Sequence, residues 1–279
     1  MPMKKKQVVG MGWRLLGACL LGWAPVLAPQ ALAQTPVVPG CKALVATGNP
    51  EYPPYLWRDP QDDTRLIGAN ADLMQLLAKE INLPIEVRYA GPWARVQEEA
   101  RGGRIDLVAG AFFTQARLEY MDYVQPAFRD IRSVIWTTQD KSFAYRNWSD
   151  LLGRQGLTVI NNSFGEAFDR YAKDTLKIAR VPSLEQAMKM LTLARADYLI
   201  YDEDPGLAYA AKLNIPGLKA ADVAVSSESL FLTISQKSAC NTEELRARIT
   251  KAMAKLTREH AIRKLVDTNL QLWRKQARL

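Results

Sequence analysis

Apolar positions along this chain switch between the period of a strand and that of a helix, and the switch repeats. The pattern predicts a short strand over 43–47, then a helix over 71–81 with Leu73, Leu76, Leu77 and Ile81 on one face and Asn70 or Asp72 as its cap. A second strand is expected over 85–89 and a second helix over 92–101, ended by Gly102-Gly103. Ile105, Leu107, Val108 and Ala109 suit a buried strand that stops at Gly110, where a backbone must come close to something else. The later half repeats the plan, with strands over 157–160, 178–181 and 197–201 and a helix over 165–174. Ser183 with Gln186 forms a capping box before a helix reaching Ala194, and Pro205 sits in the first turn of another helix. Two extended segments, 131–138 and 229–235, are placed to run between the halves. Asn241 with Glu244 forms a further capping box before two final helices. This order describes an α/β protein with a largely parallel sheet.

The stretch Arg104 to Arg117 organises the rest. Beyond Gly110 comes a polar turn with Thr114, ending at Arg117. A guanidinium delivered by a strand to the mouth of a cleft can make two parallel hydrogen bonds to one carboxylate. The plainer alternative is an arginine on a solvated helix face.

The first 33 residues have the form of an export signal. Lys4, Lys5, Lys6 and Arg14 are basic, Leu15 to Leu27 is mostly apolar, and Ala31-Leu32-Ala33 has the small-x-small form of a cleavage site. Such a signal implies a periplasmic location. Removing the signal changes the charge: it takes four of the 37 Lys and Arg and none of the 29 Asp and Glu, so +8 becomes 33 − 29 = +4. That excess is too small, and too evenly spread, to argue for nucleic acid. Cys41 and Cys240 then remain, and a pair of cysteines in an exported chain suggests one disulfide, with two buried thiols as the alternative. A metal site is not expected, because the spacing is wrong and His260 is the only histidine. His260 itself reads as a solvated side chain in a basic amphipathic helix, and no nucleophile motif, Walker-type loop or dinucleotide fingerprint is present. No cofactor is implied. About 245 mature residues exceed what one compact core usually holds, so two domains are expected.

Several ordered pieces together resemble the extracytoplasmic solute-binding proteins of ABC importers, in the family that binds polar amino acids. They are Tyr52-Pro53-Pro54-Tyr55, Gly68-Ala69-Asn70-Ala71-Asp72-Leu73, Gly103 to Leu107, Gly110 to Arg117, and Asp197 to Asp202. The resemblance implies a type II periplasmic binding protein fold, two α/β lobes joined by two crossing strands. Lobe 1 would comprise 41–130 with 230–279, and lobe 2 would comprise 131–229. It places Arg117 on the ligand α-carboxylate and Asp202 on the α-ammonium, with Tyr52 and Trp93 flanking the ligand. Phe112 stands where the family often has a hydroxyl, and Phe164 falls at a second such position with Ser163 before it. Thr114 and Glu51 complete the expected ligand set. Phe113, Tyr55 and Trp57 would make the cleft markedly aromatic. The partners implied are a small carboxylate or amino acid and an ABC permease, for a monomeric protein. Two other functions share the fold. One is a binding module that presents its ligand to a membrane receptor. The other is a cyclohexadienyl dehydratase-like enzyme, with Glu51 or Glu203 as proton donor.

Overall fold

The computed structural model describes residues 40–277, so the expected signal peptide lies outside the described residues. Strand β1 (Leu44–Thr47) is followed by the short strands β2 (Glu51–Tyr52), β3 (Leu56–Arg58) and β4 (Leu66–Ile67), which form a small sheet of their own. Next come α1 (Ala69–Ile81), β5 (Ile85–Val87), α2 (Trp93–Arg101), β6 (Leu107–Phe112), the single turn α3 (Gln115–Leu118) and β7 (Met121–Tyr123). The chain then crosses on β8 (Arg129–Thr138) into β9 (Gln155–Val159), α4 (Glu166–Thr175), β10 (Lys177–Val181), α5 (Leu184–Thr192), β11 (Tyr198–Asp202) and α6 (Glu203–Lys212). It returns on β12 (Leu218–Ser235) to α7 (Glu243–Arg258) and α8 (Ala261–Ala277).

Each lobe has a parallel centre: β1 lies between β5 and β6, and β9 between β10 and β11. The crossing strands join these centres antiparallel. β8 pairs with β11 through Ser133–Trp136, β12 pairs with β6 through Leu230–Ile234, and β12 pairs with β8 from Leu218 to Leu230. One sheet therefore runs through both lobes, and the connections are strands held by their neighbours. Helices cover it because their apolar faces fit: Leu73, Met74, Leu77 and Ile81 of α1 are all buried.

Five local expectations need correction. β6 continues past Gly110 to Phe112, because Gly110 takes a φ of +131° and the strand keeps pairing with β12. β12 begins eleven residues before the expected start at 229, in a mixed, mostly half-exposed stretch where only Val225 is buried. α1 is preceded by Gly68 with no side-chain cap, and Thr242, not Asn241, caps α7 through the Leu245 N–H. His260 is exposed, but in the left-handed turn between α7 and α8 with φ +53°.

Cys41 and Cys240 are bonded, with the sulfurs 1.99 Å apart and a sequence separation of 199. Asp106 organises this corner: it accepts from the Val45 N–H at 2.7 Å and from the Ser238 hydroxyl at 2.5 Å, and Ser238 Oγ in turn accepts from the Cys240 N–H. Elsewhere α8 packs on α1 and reaches α6. There Trp273 donates to the Ala208 carbonyl at 3.2 Å, stacks on Tyr209 at 5.8 Å and meets Trp57 edge-on at 5.4 Å.

Candidate functional site

Arg117 is held inside a cavity between the lobes by the turn that comes after β6. Thr114 caps that turn by accepting the Arg117 N–H through its hydroxyl. The guanidinium is 5% exposed. It donates to the Phe112 carbonyl at 2.9 Å, the Asn161 carbonyl at 3.1 Å and the Gln97 side-chain oxygen at 3.4 Å, and lies 5.3 Å from the centre of the Trp93 ring. All of these oxygens are neutral, and no ion pair to Arg117 occurs among the described residues. A buried cation is ordinarily paired with an anion, so this one is equipped to take an anion from outside the chain.

Asp202 ends β11 and lines the same cavity from the second lobe. It occupies the N-cap position of α6, yet its side chain caps nothing. Its two oxygens accept from Tyr52 Oη and from Ser133 Oγ, both at 2.5 Å. Burial pushes the carboxyl up to about 6; the Ser133 and Tyr52 hydrogen bonds oppose the rise and the charge of Asp204 adds to it. The same burial, with Asp202 alongside, drives the Tyr52 hydroxyl well above its usual range. Because the folded chain holds the Asp202 proton to higher pH than the unfolded chain does, this group costs nothing below pH ~4 and progressively more up to pH ~6. The full cost above that is about 3 kcal/mol. Asp202→Asn should therefore melt higher than the wild type at pH 7, by about 1–2 kcal/mol once its one poorer hydrogen bond is counted. Near pH 4, where the acid is protonated folded and unfolded, that gain is gone and the variant should melt slightly below the wild type through its poorer hydrogen bond. An equal difference at both values, in melts followed by circular dichroism, would show that Asp202 is not held protonated.

Six of the expected residues come together: Tyr52, Trp93, Phe112, Arg117, Ser163 and Asp202 line this one cavity, of about 40 Å³ open to the centre of a water-sized sphere. Three do not. Glu51 points to a separate groove and accepts the Leu184 N–H at the start of α5, and burial raises its carboxyl. Thr114 lines the outer mouth beyond Arg117. Phe164 packs against Phe168 in the second-lobe core, because its N–H and the neighbouring Ser163 hydroxyl both bond to Asp169 and fix the turn. The cleft is less aromatic than expected. Phe113 alternates to the outside of Phe112 and rests on Tyr123, Tyr55 is turned to Asp204, and Trp57 lines the groove beside Trp273. Glu203 is outside the cavity, paired with Arg132 at 2.7 Å, so Asp202 is the acid that faces it.

Sequence reasoning missed Asn49, Asn70, Gln97, Asn161 and Leu230. The Asn161 carbonyl accepts from Trp93 Nε1, Gln97 Nε2 and Arg117 Nη2 across the cleft. Asn161 is left-handed (φ +61°), and its place in Asn161-Asn162-Ser163 was the one available signal. Among the described residues no cluster of His, Cys, Asp and Glu could hold a metal ion.

Two α/β lobes on crossing strands, meeting over a small charged cavity, define a two-lobed binding protein of the periplasmic type. The chain belongs to the bacterial extracellular solute-binding proteins, family 3, whose family model matches residues 44–271. It is 24% identical over 171 residues to a probable histidine-binding protein of Neisseria gonorrhoeae, across 61% of this chain and 62% of that relative. The match thus spans less than two thirds of the relative's length. A histidine kinase sensor domain with similarity to periplasmic binding proteins superposes with a TM-score of 0.72 at 20% identity, covering 82% of this chain and 96% of that one. An amino acid ABC transporter substrate-binding protein from Streptococcus pneumoniae, bound to L-arginine, gives 0.68 at 19%, covering 83% and 96%. At these identities the likeness concerns fold.

Proposed function

We propose that the chain is an exported binding protein, directed to the periplasm by residues 1–33, that captures an amino acid or related small carboxylate by closing lobe 1 (41–130 with 230–279) on lobe 2 (131–229). The supporting observation is Arg117: a buried guanidinium in the interlobe cavity with neutral partners only. Arg117 would take the carboxylate and Asp202 an ammonium on the same guest. Neither charge alone recognises a zwitterion; the pair does, and only when the lobes meet, so binding energy favours closure. The captured guest would then be delivered to an ABC permease. A second reading, presentation to a membrane receptor, is favoured by Phe112 standing where importing relatives often carry a hydroxyl. The dehydratase alternative relied on Glu51 or Glu203, and neither lines the cavity. The test is a thermal-shift screen with amino acids, small carboxylates and aromatic acids. A guest at a hundred times its Kd should add about 2.7 kcal/mol of stability, and a flat screen would remove the proposal.

A further inference from the structure

Two acids of lobe 2 are met by two tyrosines of lobe 1, but on different terms. Tyr55 Oη donates to Asp204 Oδ2 at 2.5 Å, and Asp204 also has the Arg129 guanidinium at 3.9 Å. Asp202 has hydroxyls alone. Tyr52 Oη donates to its Oδ2 and Ser133 Oγ to its Oδ1, each at 2.5 Å, and no ion pair to Asp202 occurs among the described residues. Both donors are built into the fold: Ser133 belongs to the crossing strand β8, and Tyr52 is held by the pairing of β2 with β3 and by the Tyr55 ring, 5.4 Å from its own.

A buried acceptor selects strongly for a guest's donor when nothing else can pair with it. A guest without that donor then leaves the acceptor bare, and discrimination reaches about 10⁴–10⁵. Asp202 is in a different position. With the lobes together each of its oxygens already accepts one hydrogen bond from the protein, so a carboxylate guest lacking an amino group leaves neither bare. Such a guest does bring a second anion into a cavity whose charged lining residues are Arg117 and Asp202. The Asp202 carboxyl relieves this by taking up a proton, since burial already pushes it up to about 6. The charges around it are Arg117 in the same cavity and Asp204 of α6, while Tyr52 of β2 and Ser133 of β8 are neutral. An ammonium is still accommodated, because an ionised carboxylate oxygen accepts more than one hydrogen bond.

We propose that Tyr52 is a specificity-determining residue whose hydroxyl takes the place of a guest's amino group at Asp202, so that the cavity accepts carboxylates with or without an α-amino group. This rests on the assignment of Arg117 to the carboxylate and of Asp202 to the ammonium. Without the Tyr52 hydroxyl, Asp202 would depend on the guest for its second donor, and the site would become selective for amino acids.

Calorimetry on the full chain at pH ~6 tests it with pairs of probes that differ in the amino group alone. They are L-alanine with propionate, L-leucine with 4-methylpentanoate, L-phenylalanine with 3-phenylpropionate, and L-histidine with 3-(imidazol-4-yl)propionate. In the tightest-binding pair the deamino partner should bind within about a hundredfold of the amino acid. In Tyr52→Phe that ratio should widen about tenfold or more, because Asp202 loses a hydrogen bond to a charged group. Ser133→Ala should widen it likewise, and supplies the comparison if Tyr52→Phe fails to fold by circular dichroism. A wild-type ratio beyond a hundredfold, or a ratio that stays the same in a folded variant, overturns the proposal while the solute-binding reading stands. Failure of every probe to bind would instead remove that reading and this proposal together.

Discussion

Replacing Arg117 with alanine is expected to weaken binding of any carboxylate guest by roughly 2 to 5 kcal/mol, from about thirtyfold to several thousandfold. The size comes from desolvation: the guest's carboxylate would leave water for the interlobe cavity and find no cation there. The fold should tolerate the change, because the carbonyls that Arg117 contacts keep other donors. Phe112 retains the Tyr123 hydroxyl at 2.7 Å, and Asn161 retains Trp93 and Gln97. Arg117→Lys should fall between the two, since lysine keeps the charge and loses the fork. Affinity by calorimetry, with a melt of each variant as control, separates a lost contact from a lost fold. Equal affinity in Arg117→Ala and the wild type would take this residue out of the site.

The second large effect is expected at the Cys41–Cys240 bridge. It closes a loop spanning 199 residues, for which the loop-entropy model gives roughly 5 kcal/mol. At about 2–4 °C per kcal/mol for a chain of this size, opening it should lower the melting temperature by about 10 to 20 °C. Both cysteines are buried, at 3% and 9% exposure, so a reductant alone will act slowly on the native protein. Replacing both with serine, or reducing in mild denaturant, is the better comparison. A count of two free thiols in unreduced, unfolded mature chain would refute the bridge, and a double-serine variant melting with the wild type would show that it contributes nothing.

The alternation of elements was open to reading from periodicity, because α1, α5 and β9 bury the positions their spacing marks out. What escaped was whatever depends on neighbours. The first part of β12 mixes Lys219, Asp222 and Glu228 with Val223 and Val225 and buries only Val225, so its pairing with β8, more than a buried face, holds it as a strand. Phe112 and Phe113 are the same residue type in sequence, and only the pleat decides which faces inward. The meeting of Arg117 with Asp202 was expected through the family resemblance alone, since 85 positions separate them and no local pattern links them. The Asn161 contact is made by a backbone oxygen, which no residue type announces. Asn70 was noticed as a possible cap; its unmatched oxygen is visible only once β6 lies beside it.

The cluster in which Trp273 stacks on Tyr209 and meets Trp57 edge-on lies beside the separate groove, clear of the cavity. Under the proposed closure, whatever it adds to the shut state would be the same for every guest, and its loss would multiply all dissociation constants by one common factor while their ranking stayed put. On that reading sensitivity and choice would lie in different parts of the molecule, so the chain could be retuned to scarce or plentiful solute without relearning which solute it holds.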